Sequence, residues 1–133
     1  MAVLWTMTDP LHALGRPRLR VRARQRGTAT VVAVRGDVDL ATLPGLREKL
    51  ADLPPDALRE LVVDLDGVEH LAAAGLSALV HLRARVHDTG GTLRLVCARA
   101  RTRRLFRLTD LDKMFAIYDT VPAALGPDDP RRG

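Results

Sequence analysis

The chain has one cysteine, Cys97, so no intramolecular disulfide can form, and a reducing cytoplasmic setting is the default expectation. Aromatic residues are scarce: Trp5, Phe106, Phe115 and Tyr118 are the whole set. The core must therefore be Leu, Val and Ala, and no platform exists for stacking bases. No run approaches the roughly 18 apolar residues of a membrane span. The opening MAVLWTMTDPLHALG lacks a basic n-region and carries Asp9 and Pro10, so it does not read as a signal peptide.

Recognisable catalytic devices are also lacking. There is no Gly-rich phosphate loop and no G-x-S-x-G elbow. The histidines, His12, His70, His81 and His87, have no His or Cys at ligand spacing, and a six-residue step puts His81 and His87 on different faces of one helix. Asp64 and Asp66 read as a solvated turn rather than a Mg²⁺ site. Cys97 lies in the apolar run LRLVCA, with no base beside it, and reads as a buried, inert thiol. With no nucleophile paired to a base, the expectation is no enzyme, no metal and no cofactor.

What is present is a chain of 133 residues, 47% hydrophobic, sufficient for one domain with a real core. The net charge is +5 and all basic residues except Lys49 and Lys113 are arginines. This basic balance permits an acidic protein or a nucleic acid as partner. From Arg18 to Arg26 the pattern alternates strictly. Arg18, Arg20, Arg22, Arg24 and Arg26 fall on one side, and Leu19, Val21 and Ala23 on the other. That is a half-buried strand with a charged outer face, suited to a sheet edge, where repulsion deters foreign strands.

Gly27-Thr28 turns into a second, antiparallel strand, 29–35. Thr42 is placed to cap a helix with apolar positions Leu43, Leu46, Leu50 and Leu53, ended by Pro54-Pro55. Leu61–Leu65 is a nearly continuous apolar run, read as a central parallel strand, with a loop 66–70 after it. A helix runs from Ala73 or Ala74 to about Asp88 and stops at Gly90-Gly91. Then follow a strand 92–98, a basic helix 99–109 with Leu105 and Leu108 inward, a short strand 115–118, and a last turn of helix, 121–125, capped by Thr120. The order β-β-α-β-α-β-α-β-α implies an α/β fold with a mostly parallel sheet preceded by a hairpin. Residues 1–17 read as a flexible tail, with a short helical turn near Leu11–Leu14, 18–125 as the domain, and 126–133 as a disordered tail.

The junction VVDLDGVEHLAAAGLSAL passes from a buried strand straight into a helix N-terminus, where exposed N–H groups favour an anion or an acidic group of a partner. Taken together, GDVDLAT (36–42), LVVDLDGVEHLAAAGLSAL (61–79), GGTLRLVCA (90–98) and RRLFRLTDLDKMFAIYDTVPAAL (103–125) are similar to the STAS domain of anti-sigma-factor antagonists. The resemblance implies a mixed β-sheet with helices packed mainly on one side. It also implies binding to an anti-sigma factor, often itself a serine kinase of histidine-kinase-like fold, which frees a sigma factor.

In that family the kinase switches the antagonist off by phosphorylating a Ser in an Asp-Ser-Ser/Thr-Gly-Leu motif. Here Gly75 and Leu76 match the last two positions. Ala72 stands for the Asp, Ala73 for the phosphorylated Ser and Ala74 for the second hydroxyl residue. The resemblance thus implies a partner-binding surface of Asp37, Asp39, Thr42, Ala72, Ala73, Ala74, Gly75 and Leu76, with Ala73 a degenerate phosphosite. A methyl group cannot accept a phosphoryl group, and Ser77, one turn further on, reads as a passive helix residue. The protein is expected to be cytoplasmic, with no membrane partner, and a monomer or weak dimer. Two other readings stand beside an antagonist: a STAS scaffold or accessory subunit, and a nucleic-acid binder using the arginines of 16–26 and 99–107.

Overall fold

The structure, a computed structural model, describes residues 3–8 and 18–126. Six strands form one sheet in sequential order, β1 to β6. They are β1 (Val3–Thr8), β2 (Leu19–Arg26), β3 (Ala29–Val38), β4 (Glu60–Leu71), β5 (Thr92–Val96) and β6 (Ala116–Tyr118). The helices are α1 (Leu43–Ala51), α2 (Ala73–Asp88), α3 (Ala100–Leu108) and α4 (Val121–Leu125). The first three strands pair antiparallel, and β3 through β6 pair parallel. The fold is the mixed α/β sheet anticipated from the element order.

Because β3, β4, β5 and β6 follow one another in space as in sequence, right-handed crossovers place α1, α2 and α3 on a single face. The main core lies there. Leu19, Val21, Val34, Leu61, Val63 and Leu95 from the sheet meet Leu46, Leu50, Leu76, Leu79, Leu82 and Phe106 from the helices. The rings of Phe106 and Phe115 pack edge to face, 5.9 Å between centroids. On the opposite face only α4 packs, with Ala124 over Val31, Val62 and Val96. Thr120 caps α4 as anticipated, its Oγ1 accepting from Ala123 N at 3.2 Å.

The structure corrects several expectations. Residues 3–8 are a strand rather than part of a loose tail, and pair with β2 from Val3↔Arg24 to Thr8↔Arg20. The arginine-striped β2 is therefore interior to the sheet, and β1 is its edge. The suggested turn at Leu11–Leu14, the rest of the N-terminal tail (9–17) and residues 127–133 lie outside the described residues.

Strand β4 does not stop at Leu65. The segment expected as a loop, 66–70, continues the strand to Leu71 alongside β3, with register shifts between Ala33 and Arg35 and between Gly36 and Asp37. Gly67 serves close packing within that pair, since a Cβ there would lie 2.6 Å from Arg35 Cγ. In α3 the inward residues are Thr102 and Phe106. Leu105 is half-buried, and Leu108 is 71% exposed. The large Phe106 ring claims the face against the sheet and rotates Leu108 to solvent.

Candidate functional site

Parallel strands β3 and β4 end together, with Asp37 opposite His70 and Val38 opposite Leu71. The chain leaves both strands at the same end of the sheet, one into the loop before α1 and the other into α2. The Ala72 N–H donates to the Val38 carbonyl at 2.8 Å, which ties the start of α2 to the end of β3. This brings residues 37–42 and 72–76, far apart in sequence, to one site at the carboxyl ends of the parallel strands.

The loop 37–42 is held from within. Asp39 Oδ1 accepts from the backbone N–H of Ala41 at 2.9 Å and of Thr42 at 3.0 Å. The Thr42 hydroxyl donates to the Asp37 carbonyl at 2.8 Å and accepts from Asp39 N at 3.0 Å. The Thr42 N–H bond is the largest cause of a carboxyl pKa at Asp39 below the usual aspartate range. Burial opposes the shift, while the Ala41 N–H and the nearby Arg18 charge add to it. Asp37 Oδ1 is buried with no hydrogen-bond partner.

Thr42 does not cap α1 through its side chain, because its oxygen is committed to the loop. Pro44 occupies the first turn instead.

The rigid loop presents an apolar side chain: Leu40 is 79% exposed. The internal bonds of the loop hold this large hydrophobe in solvent. Sequence reasoning passed over Leu40. The available signal was its position between Asp39 and Thr42, two residues that make their hydrogen bonds locally.

At the second half of the site, Ala72 is the extended N-cap of α2, with no side-chain cap, and Ala73 is its exposed first residue. Ala74 is half-buried, and Ser77 is exposed within the helix. Gly75 and Leu76, expected on the partner-binding surface, are buried beneath it, as is Thr42 at 3% exposure. They pack beneath the start of α2 and the 37–42 loop. A Cβ at Gly75 would lie 2.7 Å from Leu71 Cδ1 and 2.8 Å from Val38 Cγ1, so only glycine lets α2 start this close to β3. Of the predicted set Ala73 is exposed, while Asp37, Asp39, Ala72 and Ala74 are half-buried, with Ala74 packed against the core; the structure adds exposed Leu40.

Elsewhere, Cys97 is fully buried, and burial raises its thiol pKa. Among the described residues no three of His, Cys, Asp or Glu gather into a metal-binding group. Asp64 and Asp66 are not on a solvated turn but within β4, with Asp64 Oδ1 accepting from Asp66 N and Asp66 Oδ1 from Ala98 N. No helix among the described residues is long and apolar enough to cross a membrane.

A six-stranded mixed sheet with three helices on one face, and a site built from the β3–α1 loop and the N-terminus of α2, defines a STAS domain. Residues 20–124 match the STAS domain family, and the chain belongs to it. It is 31% identical over 107 residues to the anti-sigma-F factor antagonist RsfB of Mycobacterium tuberculosis, covering 80% of this chain and 87% of that protein. An anti-sigma-B factor antagonist of Staphylococcus aureus is 28% identical over 88 residues, covering 66% and 82%. The crystal structure of an anti-sigma factor antagonist from Mycobacterium paratuberculosis superposes with a TM-score of 0.71 at 33% identity, covering 86% of this chain and 96% of that one.

Proposed function

We propose that this protein is a cytoplasmic anti-sigma-factor antagonist that binds its partner constitutively, through the surface formed by Asp37, Asp39, Leu40 and Ala72–Ala74. The partner is an anti-sigma factor of the histidine-kinase-like serine kinase fold, and capturing it releases a sigma factor. The protein acts by binding and not by catalysis.

The observation that carries this reading is the exposed methyl of Ala73 at the start of α2, beside the rigid 37–42 loop. Phosphorylation at this position would add nearly two negative charges. Those charges would stand next to Asp37 and Asp39, and like-charge repulsion with desolvation cost would eject a partner. Ala73 offers no oxygen to the kinase and is small and neutral, so the surface stays in its binding-competent form. Ser77 does not replace the lost acceptor. It lies inside α2, where a kinase would have to unwind the helix to engage it.

The test is incubation with each anti-sigma kinase of its own cell and ATP, followed by phosphopeptide mapping. Residues 72–77 are expected to stay unlabelled, while the double substitution Ala72→Asp, Ala73→Ser becomes labelled in a folded protein. Phosphate on Ser77 of the natural chain would overturn the constitutive reading. A folded double variant that no kinase labels would show that the docking surface is not recognised.

A further inference from the structure

We propose that the face of the sheet left open beside α4 binds a compact polyanion of the oligophosphate class, through Arg20, Arg22, Arg24 and Arg35. This site is independent of the partner surface at the strand ends. It lies on the side of the sheet opposite α1, α2 and α3.

Helix α4 covers only Val31, Val62 and Val96 on its face. On the same face, over β1 to β4, lies a cavity of about 420 Å³ lined by Thr6, Arg20, Arg22, Arg24, Ala33, Arg35 and Asp64. The register explains its shape. Arg22 stands opposite Ala33, and Ala33 opposite Asp64, so a methyl forms the floor between longer side chains. Arg20 stands directly opposite Arg35, a like-charge cross-strand pair that a sheet does not favour.

Among the described residues, none of these four guanidinium groups makes an ion pair or a hydrogen bond; Arg20, Arg22 and Arg35 are exposed, and Arg24 Nε is sealed from solvent without an acceptor. Among the described residues Asp64 is the sole carboxylate lining the cavity, and its Oδ1 already accepts from Asp66 N. Among the described residues lining the cavity, the arginines therefore exceed the carboxylates by three.

Their arrangement sets the ligand class. Carriers two apart on a strand are separated by about 6.8 Å, and neighbours across strands by about 4.8 Å, so several linked anionic groups can be met at once. The planar fork of guanidinium suits phosphate oxygens in a bidentate way. The volume is that of a small-molecule site and not of an extended groove. Among the described residues no aromatic side chain lines the cavity, so the phosphate chain is what it reads, free or borne on a nucleoside.

The experiment is calorimetric titration of the full chain with tripolyphosphate, orthophosphate, ATP and a mixed-sequence single-stranded DNA oligonucleotide, at low and physiological salt. Tripolyphosphate is expected to bind saturably at one site, more tightly than orthophosphate, and to raise the melting temperature. ATP of similar affinity identifies the phosphate chain as the recognised element. Arg22→Gln and Arg35→Gln are each expected to weaken binding about tenfold, as loss of one charge-assisted contact implies, with unchanged circular dichroism. Arg101→Gln, at an exposed position of α3, is expected to leave affinity unchanged. Four results would each overturn the proposal. These are no saturable binding, equal affinity in the cavity variants and the natural chain, binding of ATP without tripolyphosphate, and an oligonucleotide bound more tightly than tripolyphosphate. The last would make the face a nucleic-acid surface.

Discussion

The backbone bond from Ala72 N–H to the Val38 carbonyl, 2.8 Å long, joins two segments that are 34 residues apart and fixes the helix start against the loop start. With Gly75 seated between Val38 and Leu71, this junction leaves α2 little freedom to shift. A partner that grips Leu40 and Ala73 together meets a preformed surface, and preorganisation of this kind lowers the ordering cost of binding.

Replacing Gly75 by alanine tests that close approach. Alanine favours the helix by about 1 kcal/mol. The added methyl must displace Leu71 Cδ1 and Val38 Cγ1, and overpacking of that kind costs about 1–3 kcal/mol. The sterically crowded site is expected to dominate. Urea unfolding of Gly75→Ala should show a lower midpoint with an unchanged slope, and a midpoint at or above that of the natural chain would contradict the tight junction.

Leu40→Ala separates binding from stability. With Leu40 79% exposed, its truncation removes little buried area, and a change within about 0.5 kcal/mol is expected on unfolding. As an anchor in a partner's pocket, the same residue is expected to contribute about 2 kcal/mol, some thirtyfold in affinity for the anti-sigma factor. Equal affinities in a pull-down titration would remove Leu40 from the interface.

The carboxyl of Asp39 gives the loop a pH dependence of definite sign. Its pKa is lowered in the folded state, chiefly by the Thr42 N–H. The stability it contributes is therefore fully present above the unfolded aspartate value of about 3.9, and is lost as pH falls through the lower folded value. Amide NMR shifts of Ala41 and Thr42 should hold constant from neutral pH to below that of a free aspartate, then move together. Titration of these amides above pH ~5 would contradict the hydrogen-bonded loop.

Cys97 is expected to be silent in the native protein. Full burial and a raised pKa keep it a thiol and out of reach. A disulfide reagent at neutral pH should modify it only at the rate of unfolding, and quickly in denaturant. Rapid native labelling would show that the segment just after β5, tied by the Cys97 N–H to the Tyr118 carbonyl, opens locally.

Much of this molecule was legible because its apolar spacing is regular. The alternation Leu19, Val21, Ala23 gave the inward face of β2, and the periodic leucines of α1 and α2 gave their buried stripes. The missed features depend on partners distant in sequence. Strand β1 carries exposed Val3 and Leu4, and is held by pairing with β2 rather than by its own pattern. The extension of β4 through Asp66 and Gly67 needs β3 beside it, because both residues read locally as a turn.

Of Leu105 and Leu108, both expected inward, Leu105 packs partly against the core while Leu108 faces solvent and Phe106 takes the buried position, since leucine spacing alone cannot tell which side faces the sheet. At the candidate site, the family likeness pointed to segments 37–42 and 72–76, which the structure brings together. It could not separate outward Ala73 from buried Gly75, Leu76 and Thr42, nor single out Leu40. The arginine stripe of β2 became a cavity only with Arg35 and Asp64 added from neighbouring strands.

The most direct test of permanent partner binding is the dissociation constant for the cognate anti-sigma kinase, measured before and after prolonged incubation of the complex with ATP. For the natural chain the two values are expected to agree, while Ala73→Asp, carrying charge at the same position, should bind at least about tenfold more weakly. If ATP weakens the natural complex, or if Ala73→Asp binds as tightly as the natural chain, the neutral start of α2 is not what keeps the partner bound.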